Sequence, residues 1–159
     1  MAVIKKRYTS LDECLKHLRL QIEESIKYAD KVTPHFTHPA NFFNWLKPQL
    51  TYKKDPRGVE LLQSMPTLLN NNFYGTPGAG DCDCFTITAA ACCMVQNWRT
   101  FIILAGRNKY TPVHIWSGVT INGQDYHLDF TNKIPNFTRY YPYTQKLYIN
   151  EVINKQPKK

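Results

Sequence analysis

Three residues of the chain, Cys82, His114 and Asp129, could together perform thiol chemistry. Cys82 lies at the predicted start of a helix, and a helix N-terminus or a neighbouring imidazolium lowers the pKa of a thiol and favours the nucleophilic thiolate. His114 could move the proton, and Asp129 could fix the tautomer of the imidazole and stabilise its charged form. The backbone N–H of Cys82 could donate to an oxyanion. These residue types predict acyl transfer through a cysteine nucleophile.

A predicted hairpin brings the second and third of these residues together. Asn122-Gly123 is the strongest short-range signal for a two-residue type I′ turn. With that turn Ile121 opposes Gln124, and His114 and Asp129 become diagonal neighbours on one face of the sheet, within reach of each other. A turn of three residues would put them on opposite faces.

The same register divides the hairpin into two faces. The face predicted to join the core carries apolar residues and one serine: Val113, Ile115, Ser117, Val119, Ile121, Tyr126, Leu128 and Phe130. The other face carries the candidate chemistry: His114, Trp116, Gly118, Asp125, His127 and Asp129. Side chains two apart on a strand share a face, so this division follows from the turn alone.

The rest of the chain predicts helices first and a sheet afterwards. Apolar spacing of three and four predicts an amphipathic helix over residues 11–30 and short helices over residues 41–46, stopped by Pro48, and over 57–64. Residues 70–80 predict an irregular loop. The helix from Cys82 is apolar nearly all round, which indicates burial, and Thr100–Ala105 predicts a central strand. The Tyr- and Pro-rich segment around residues 139–143 is interpreted as a loop over the sheet. The fold class is therefore α+β, with a helix packed on an antiparallel sheet.

The three candidates lie in motifs that resemble the transglutaminase-like branch of the papain-like cysteine hydrolase superfamily. Gly80-Asp81-Cys82-Asp83-Cys84 resembles the Gly-Asp-Cys-Asp-Asp motif that opens the family's helix, although Cys84 replaces the second Asp. Pro112–Trp116 resembles its His strand, and His127–Thr131 resembles its Leu-Asp-Pro-Thr motif, with Phe130 in place of Pro. Upstream, residues 50–63 resemble small bacteriophage and prophage members.

The resemblance implies a transglutaminase-like domain in which Cys82, His114 and Asp129 form a catalytic triad. It implies a protease or amidase, or a crosslinking transglutaminase, that acts on an amide bond of a protein or peptide. A phage origin would make a virion protein or a cell-wall peptide the substrate. Trp116 could wall the cleft or simply pack against the helix. Asp81 and Asp83 could tune the thiolate or serve as acids of the first helical turn.

Several alternatives stay open from the sequence. His127 shares a face with His114 and is its rival as the base. Cys82, Cys84, Cys92 and His114 could bind zinc, but a Cys-x-Cys spacing is unusual for zinc, so no metal and no cofactor are predicted. Gln49, Tyr52 and Gln63 are upstream polar residues that could supply a second oxyanion donor. The competing function is a non-catalytic structural or adaptor protein of a phage particle on the same fold.

Composition limits the remaining possibilities. The chain has 159 residues, of which 43% are hydrophobic, and a net charge of +8 from 20 Lys+Arg against 12 Asp+Glu. This size predicts a single domain over residues 1–153, with an N-terminal helical part at 8–66, a helix and sheet at 80–132 and a flexible basic tail at 154–159. The basic residues are scattered, which permits nucleic acid as a partner but does not favour it.

Neither a membrane span nor a signal peptide is predicted. Four of the five cysteines fall close together in the sequence, a layout that suits a reducing compartment. The expected location is the cytoplasm of an infected bacterium or the virion.

Overall fold

The computed structural model describes residues 3–6, 11–56, 60–70 and 74–149. The helices in these ranges are α1 (Leu11–Val32), α2 (Pro39–Leu46), α3 (Met65–Leu69) and α4 (Cys82–Val95), and a 3-10 turn follows α2 at Lys47–Gln49. The strands are β1 (Val3–Lys6), β2 (Thr51–Tyr52), β3 (Glu60–Gln63), β4 (Ala79–Gly80), β5 (Arg99–Gly106), β6 (Pro112–Ile121), β7 (Gln124–Leu128) and β8 (Tyr143–Tyr148). The predicted tail at 154–159 lies outside the described residues. The described part is an α+β structure, as predicted.

The main sheet is antiparallel and has the strand order β7-β6-β5-β8. The predicted central strand is confirmed, because β5 lies between β6 and β8. The predicted hairpin register is also confirmed: Ile121 pairs with Gln124, and Asn122 and Gly123 have φ angles of 52° and 77°. Positive φ at both central residues is what a type I′ turn requires.

Helix α4 joins the helical part of the chain to this sheet. It packs against α1 and against β5 and β6, and the side chains of residues 84–93 are buried. Asp81 caps its N-terminus by accepting the backbone N–H of Asp83, so the helix begins at Cys82 as predicted. One face of the sheet thus forms the core with α1, α2 and α4, through side chains such as Ile115, Val119 and Phe130.

The opposite face of the sheet carries a smaller apolar cluster. Its buried members are Phe101, Ile103, Ala105 and Trp116, and Tyr141 and Tyr148 pack against them. The sheet is therefore covered on both faces over its middle. Trp116 belongs to this second face, so it does not pack against a helix.

The predicted helix over residues 57–64 is wrong. Residues 57–59, including Val59, lie outside the described residues, while Glu60–Gln63 form strand β3 and pair antiparallel with β1. Glu, Leu and Gln are good helix formers, but strand pairing and burial of Leu61 and Leu62 override that local preference. Sequence spacing gave no sign of β1 as the partner.

Val113 was predicted to join the core, and this is wrong. Its side chain is 68% exposed. Ala105 pairs with His114 but Gly106 pairs with Pro112, so Val113 is the extra residue of a β-bulge. A bulge interrupts the alternation of faces and re-aims the neighbouring side chain, here that of His114.

Two other segments contain more structure than the sequence predicted. The end of the Tyr-rich segment forms β8, which pairs with β5 along the edge of the sheet. Within the loop predicted over residues 70–80, Ala79–Gly80 form β4 and pair in parallel with β2; residues 71–73 lie outside the described residues. None of the helices in the described part of the chain has the length and apolar character needed to cross a bilayer.

Candidate active site

His114 and Asp129 meet through a direct hydrogen bond. The distance between Nε2 of His114 and Oδ2 of Asp129 is 2.7 Å. His114 lies beside the bulge near the start of β6, and Asp129 follows the last residue of β7. The hairpin register and the bulge together bring these two side chains into contact across the sheet, as the diagonal relationship required.

Thr131 completes the surroundings of the Asp129 carboxylate. Its backbone N–H and its hydroxyl both donate to Oδ1, at 3.0 and 2.7 Å. Burial alone would raise the pKa of Asp129, but the hydrogen bonds and charge of His114 and the two bonds from Thr131 outweigh it and lower the pKa. The carboxylate is therefore ionised at neutral pH and accepts the Nε2–H of His114. In the neutral form of the imidazole this assignment leaves Nδ1 with a free lone pair.

Cys82 lies at the edge of β6, beside the backbone of Ile115. β7 pairs with β6 only from Ser117 onward, which leaves the backbone of Ile115 open on that edge. The N–H of Ile115 bonds to the sulfur of Cys82, and its carbonyl accepts the Thr86 hydroxyl at 3.4 Å. The first turn of α4 thus occupies the position that a longer β7 would take. The sulfur is bonded to the residue that follows His114 in the chain.

The thiol of Cys82 is protonated in the resting protein. Burial raises its pKa most, the charges of Asp83 and Asp81 raise it further, and the bond from the Ile115 N–H lowers it. The expectation that the helix N-terminus would lower this pKa is wrong, because the thiol is more deeply buried than the sequence indicated. Any reaction at Cys82 therefore needs a base that takes the proton.

His127, the alternative candidate for the base, is hydrogen-bonded to Trp116. Its Nδ1 accepts the indole N–H of Trp116 at 2.9 Å, and burial lowers its pKa. It is therefore a neutral ring in contact with Trp116 and Phe101. The Trp116 ring lies 5.4 Å from the ring of His114 and is 4% exposed. It therefore packs against the imidazole and does not form a solvent-exposed wall of a cleft.

The cysteines of the alternative zinc site have different partners. Cys84 donates to the carbonyl of Leu61, whereas Cys92 accepts from the hydroxyl of Thr33 and contacts Met65. Both are buried structural thiols. These sulfurs do not converge with His114, so the described residues do not form the zinc site considered above.

The predicted acids of the helix start belong to a larger group. Asp55, Glu60, Asp81 and Asp83 each place a carboxyl oxygen within 4.8 Å of the others, and we call these four the acidic cluster. Four oxygens at that spacing could bind a divalent cation. They also share protons: Asp81 bonds to Asp55, and Asp83 bonds to Glu60. Burial, with the neighbouring acids, raises the pKa of Asp81 to about 8. Sequence spacing could not have found Asp55 and Glu60.

The acidic cluster predicts how stability depends on pH. Because the pKa of Asp81 is higher in the folded chain than in the unfolded chain, the folded chain retains a proton that the unfolded chain loses between about pH 4 and pH 8. The free energy of unfolding therefore falls as pH rises through that range. Asp81→Asn keeps an oxygen for the helix cap and removes the charge, and should raise this free energy by about 2 kcal/mol at pH 8.

Urea unfolding at pH 5 and at pH 8 measures the effect. The variant should lose much of the difference between the two pH values. Asp30→Asn, at an exposed position on α1, is the matched control and should unfold like the parent chain at both. If the free energy of unfolding of Asp81→Asn kept the full dependence on pH, Asp81 would not be the group that retains a proton in the folded chain.

A cavity of about 320 Å³ opens beside His114. Its lining residues are Tyr52, Val113, His114, Thr131, Arg139 and Tyr141. Cys82 is not among the lining residues, and its charge, when the thiol ionises, makes only a small contribution to raising the pKa of Tyr52 and Tyr141, after the larger effect of burial. The cavity therefore gives a substrate a place next to the imidazole of His114.

Among the three upstream polar candidates, Tyr52 lines this cavity. Gln63 is buried and donates to the carbonyl of Ala79, and Gln49 donates to the carbonyl of Trp45. At the start of α4, the Asp81 carboxylate accepts the N–H groups of Asp83 and Cys84. No acceptor in the described ranges takes the N–H of Cys82.

No protein-family model and no curated protein sequence matches the chain. Among solved structures, one described as the crystal structure of a TGase aligns with a TM-score of 0.40 and 13% identity. The alignment covers 85% of this chain and 37% of that one, so the chain spans just over a third of the length of the protein it matches. A likeness at that TM-score establishes neither function nor site residues.

Proposed function

We propose that the protein is a cysteine-dependent acyl-transfer enzyme of the transglutaminase-like type, with Cys82 as nucleophile, His114 as base and Asp129 as the residue that orients the base. One observation supports the proposal most directly. Asp129 bonds to Nε2 of His114 and leaves Nδ1 without a partner among the described residues, and the N–H of the next residue, Ile115, bonds to the Cys82 sulfur. The motifs around these residues resemble that family in order and spacing. The cavity lined by His114 supplies room for a substrate.

The first half of the reaction forms a thioester. Nδ1 of His114 takes the thiol proton as the sulfur attacks the carbonyl carbon of an amide, and the carbonyl electrons move to the oxygen. The free N–H of Cys82 is suited to donate to that oxyanion. When the carbonyl re-forms, the carbon–nitrogen bond breaks, and the leaving amine takes the proton from His114.

The second half returns the free enzyme. His114 removes a proton from water, the hydroxide attacks the thioester carbon, and the carbon–sulfur bond breaks, so that a carboxylic acid leaves and the thiol is restored. An amine in place of water would give a new amide instead. Hydrolysis corresponds to a protease or amidase, and amine transfer corresponds to a transglutaminase.

The reactivity of Cys82 tests the proposal. Iodoacetamide, followed by mass spectrometry of the digested protein, should label Cys82 at least about tenfold faster than Cys14, because in the proposed mechanism His114 takes the proton of the Cys82 thiol. Cys14 is the fair comparison, since its thiol is also partly accessible and burial raises its pKa to about 12. His114→Gln should slow labelling of Cys82 to the rate of Cys14, while His127→Gln should leave it fast.

Equal and slow labelling of both thiols in the parent chain would instead favour the non-catalytic structural or adaptor protein. The phage origin, a virion or cell-wall substrate and a nucleic-acid partner stay predictions from the sequence. Retention of the protein on DNA that falls steeply with salt would support the last of these.

A further inference from the structure

The cavity beside His114 contains one side chain that the proposed reaction does not use, the guanidinium of Arg139. Arg139 is exposed, and no carboxylate of the described residues forms an ion pair with it. It lies close enough to Tyr141 for its charge to act on the pKa of that phenol. An arginine without an acidic partner at the wall of a cavity is available to a ligand.

The neighbouring carboxylate of Asp129 does not form an ion pair with Arg139. Asp129, whose charge also acts on Tyr141, is 5% exposed, and its two oxygens accept hydrogen bonds from His114 and Thr131. On the sheet surface, Lys146 pairs with Asp125. Arg139 therefore supplies a positive charge at its wall of the cavity, whereas the charges of Asp81, Asp55 and Asp83 act on Tyr52 at another wall.

The remaining walls suit a peptide rather than a small inorganic anion. Tyr52 is 57% exposed and Val113 is 68% exposed, and with Tyr141 they supply apolar and aromatic surface around the cation. Such surface can cover the carbon chain of an amino acid while the guanidinium binds its charged end with two hydrogen bonds. The bulge that exposes Val113 thus also shapes this wall.

We propose that Arg139 is a specificity-determining residue that selects peptide substrates carrying a carboxylate next to the amide that reacts. This inference rests on the proposed function for the reaction, but binding can be tested separately. The carboxylate can come from a glutamate or aspartate side chain or from the C-terminus of the peptide. In each case the ligand is an acidic peptide lying between Tyr52 and Tyr141.

Binding is measured with the Cys82→Ala chain, in which no acyl transfer can occur. Short blocked peptides that differ only by Glu or Gln, and the Gln peptide with a free C-terminus, are titrated by NMR, which detects weak complexes. We expect the Glu peptide, the free-carboxylate peptide or both to bind roughly fivefold more tightly than the blocked Gln peptide, as an exposed guanidinium–carboxylate pair allows. The two acidic peptides then distinguish the source of the carboxylate.

The variants assign the preference to one side chain. Arg139→Gln should remove it and Arg139→Lys should retain part of it, since lysine keeps the charge but loses the two-point geometry. Lys133→Gln, at an exposed cation that does not line the cavity, should retain all of it. Equal binding of acidic and neutral peptides, or a preference that survives Arg139→Gln, would overturn the inference, and so would the absence of any peptide binding.

A single-stranded oligonucleotide is titrated in parallel. The contrary result is that the oligonucleotide binds at lower concentrations than the acidic peptide, displaces it, and loses its affinity in Arg139→Gln. That result would show that the site binds the phosphates of nucleic acid, and the inference would be overturned. Failure of the proposed reaction looks different, because Cys82 would then be unreactive while the Cys82→Ala chain still preferred acidic peptides.

Discussion

Asp129→Asn should slow acylation of Cys82 by about a hundredfold to a thousandfold while the chain remains folded. In a serine protease the same replacement lowers kcat by about 10⁴-fold, and we expect a smaller effect here because a thiol is intrinsically more nucleophilic than a hydroxyl. In this protein the reason can be derived from the partners of Asp129. They determine which way round the asparagine amide must lie.

Thr131 fixes the orientation of that amide. Its N–H and hydroxyl both donate to Oδ1 of Asp129, so the amide oxygen of an asparagine has to take that position. The amide NH₂ then faces Nε2 of His114, where the carboxylate oxygen was. Nε2 must accept, the ring proton moves to Nδ1, and Nδ1 can no longer take the proton of Cys82.

The rate of release of a chromophoric alcohol from an activated ester measures this effect. Asp125→Asn removes a carboxylate from β7, the strand that precedes Asp129, where Asp125 pairs with Lys146 and Thr120, and is the matched control. Its rate should equal that of the parent chain. A full rate in Asp129→Asn would mean that His114 does not work through this tautomer and would remove Asp129 from the proposed mechanism.

Gly78→Ala should destabilise the protein by about 3–5 kcal/mol, the largest effect expected from adding a single methyl group. A Cβ at this position would lie 1.9 Å from the backbone oxygen of Gln49, which cannot move aside as a side chain could. Gly78 also has a φ of +82°. Its N–H donates to Leu68 and its carbonyl accepts the N–H of Thr51, so a shift here also disturbs β2 and Tyr52.

Thermal unfolding of Gly75→Ala provides the comparison. Gly75 has a similar φ of +71°, but no atom lies within 4 Å of an added Cβ. Its substitution should cost only the backbone strain, about 1 kcal/mol. Similar losses at the two positions would show that the loop moves away from Gln49 without penalty.

The parts of the fold that local sequence encodes could be predicted. Asn122-Gly123 fixed the hairpin turn, and the turn fixed the register that brings His114 towards Asp129. The small, apolar residues after Asp81 predicted the start and the burial of α4. Each of these inferences depends on only a few neighbouring residues. Once the turn or the helix start is located, the regular spacing of side chains on a strand or helix determines which face each following residue occupies.

The parts that depend on distant partners could not be predicted. β3 forms by pairing with β1, and β8 forms by pairing with the edge of β5. Neither strand is evident from its own residues, because each depends on a partner that is distant in the sequence. The acidic cluster joins Asp55 and Glu60 to the start of α4. Burial of the Cys82 thiol, with a further effect of the charges of Asp83 and Asp81, raised its pKa where the sequence predicted that it would be lowered. The bulge at Val113 depends on how β5 and β6 meet. Sequence therefore located the candidate residues but not their electrostatic surroundings.

The position of the first turn of α4 along β6 has a consequence for self-association. A strand edge with unpaired backbone groups is a template for adding a strand from another molecule. Cys82 and Thr86 satisfy both backbone groups of Ile115 at that edge, so an incoming chain would have to displace the Cys82 sulfur before it could pair there. Oligomers built through this edge should therefore lack the reactivity proposed for Cys82, and modification of the sulfur that pushes α4 away should promote aggregation.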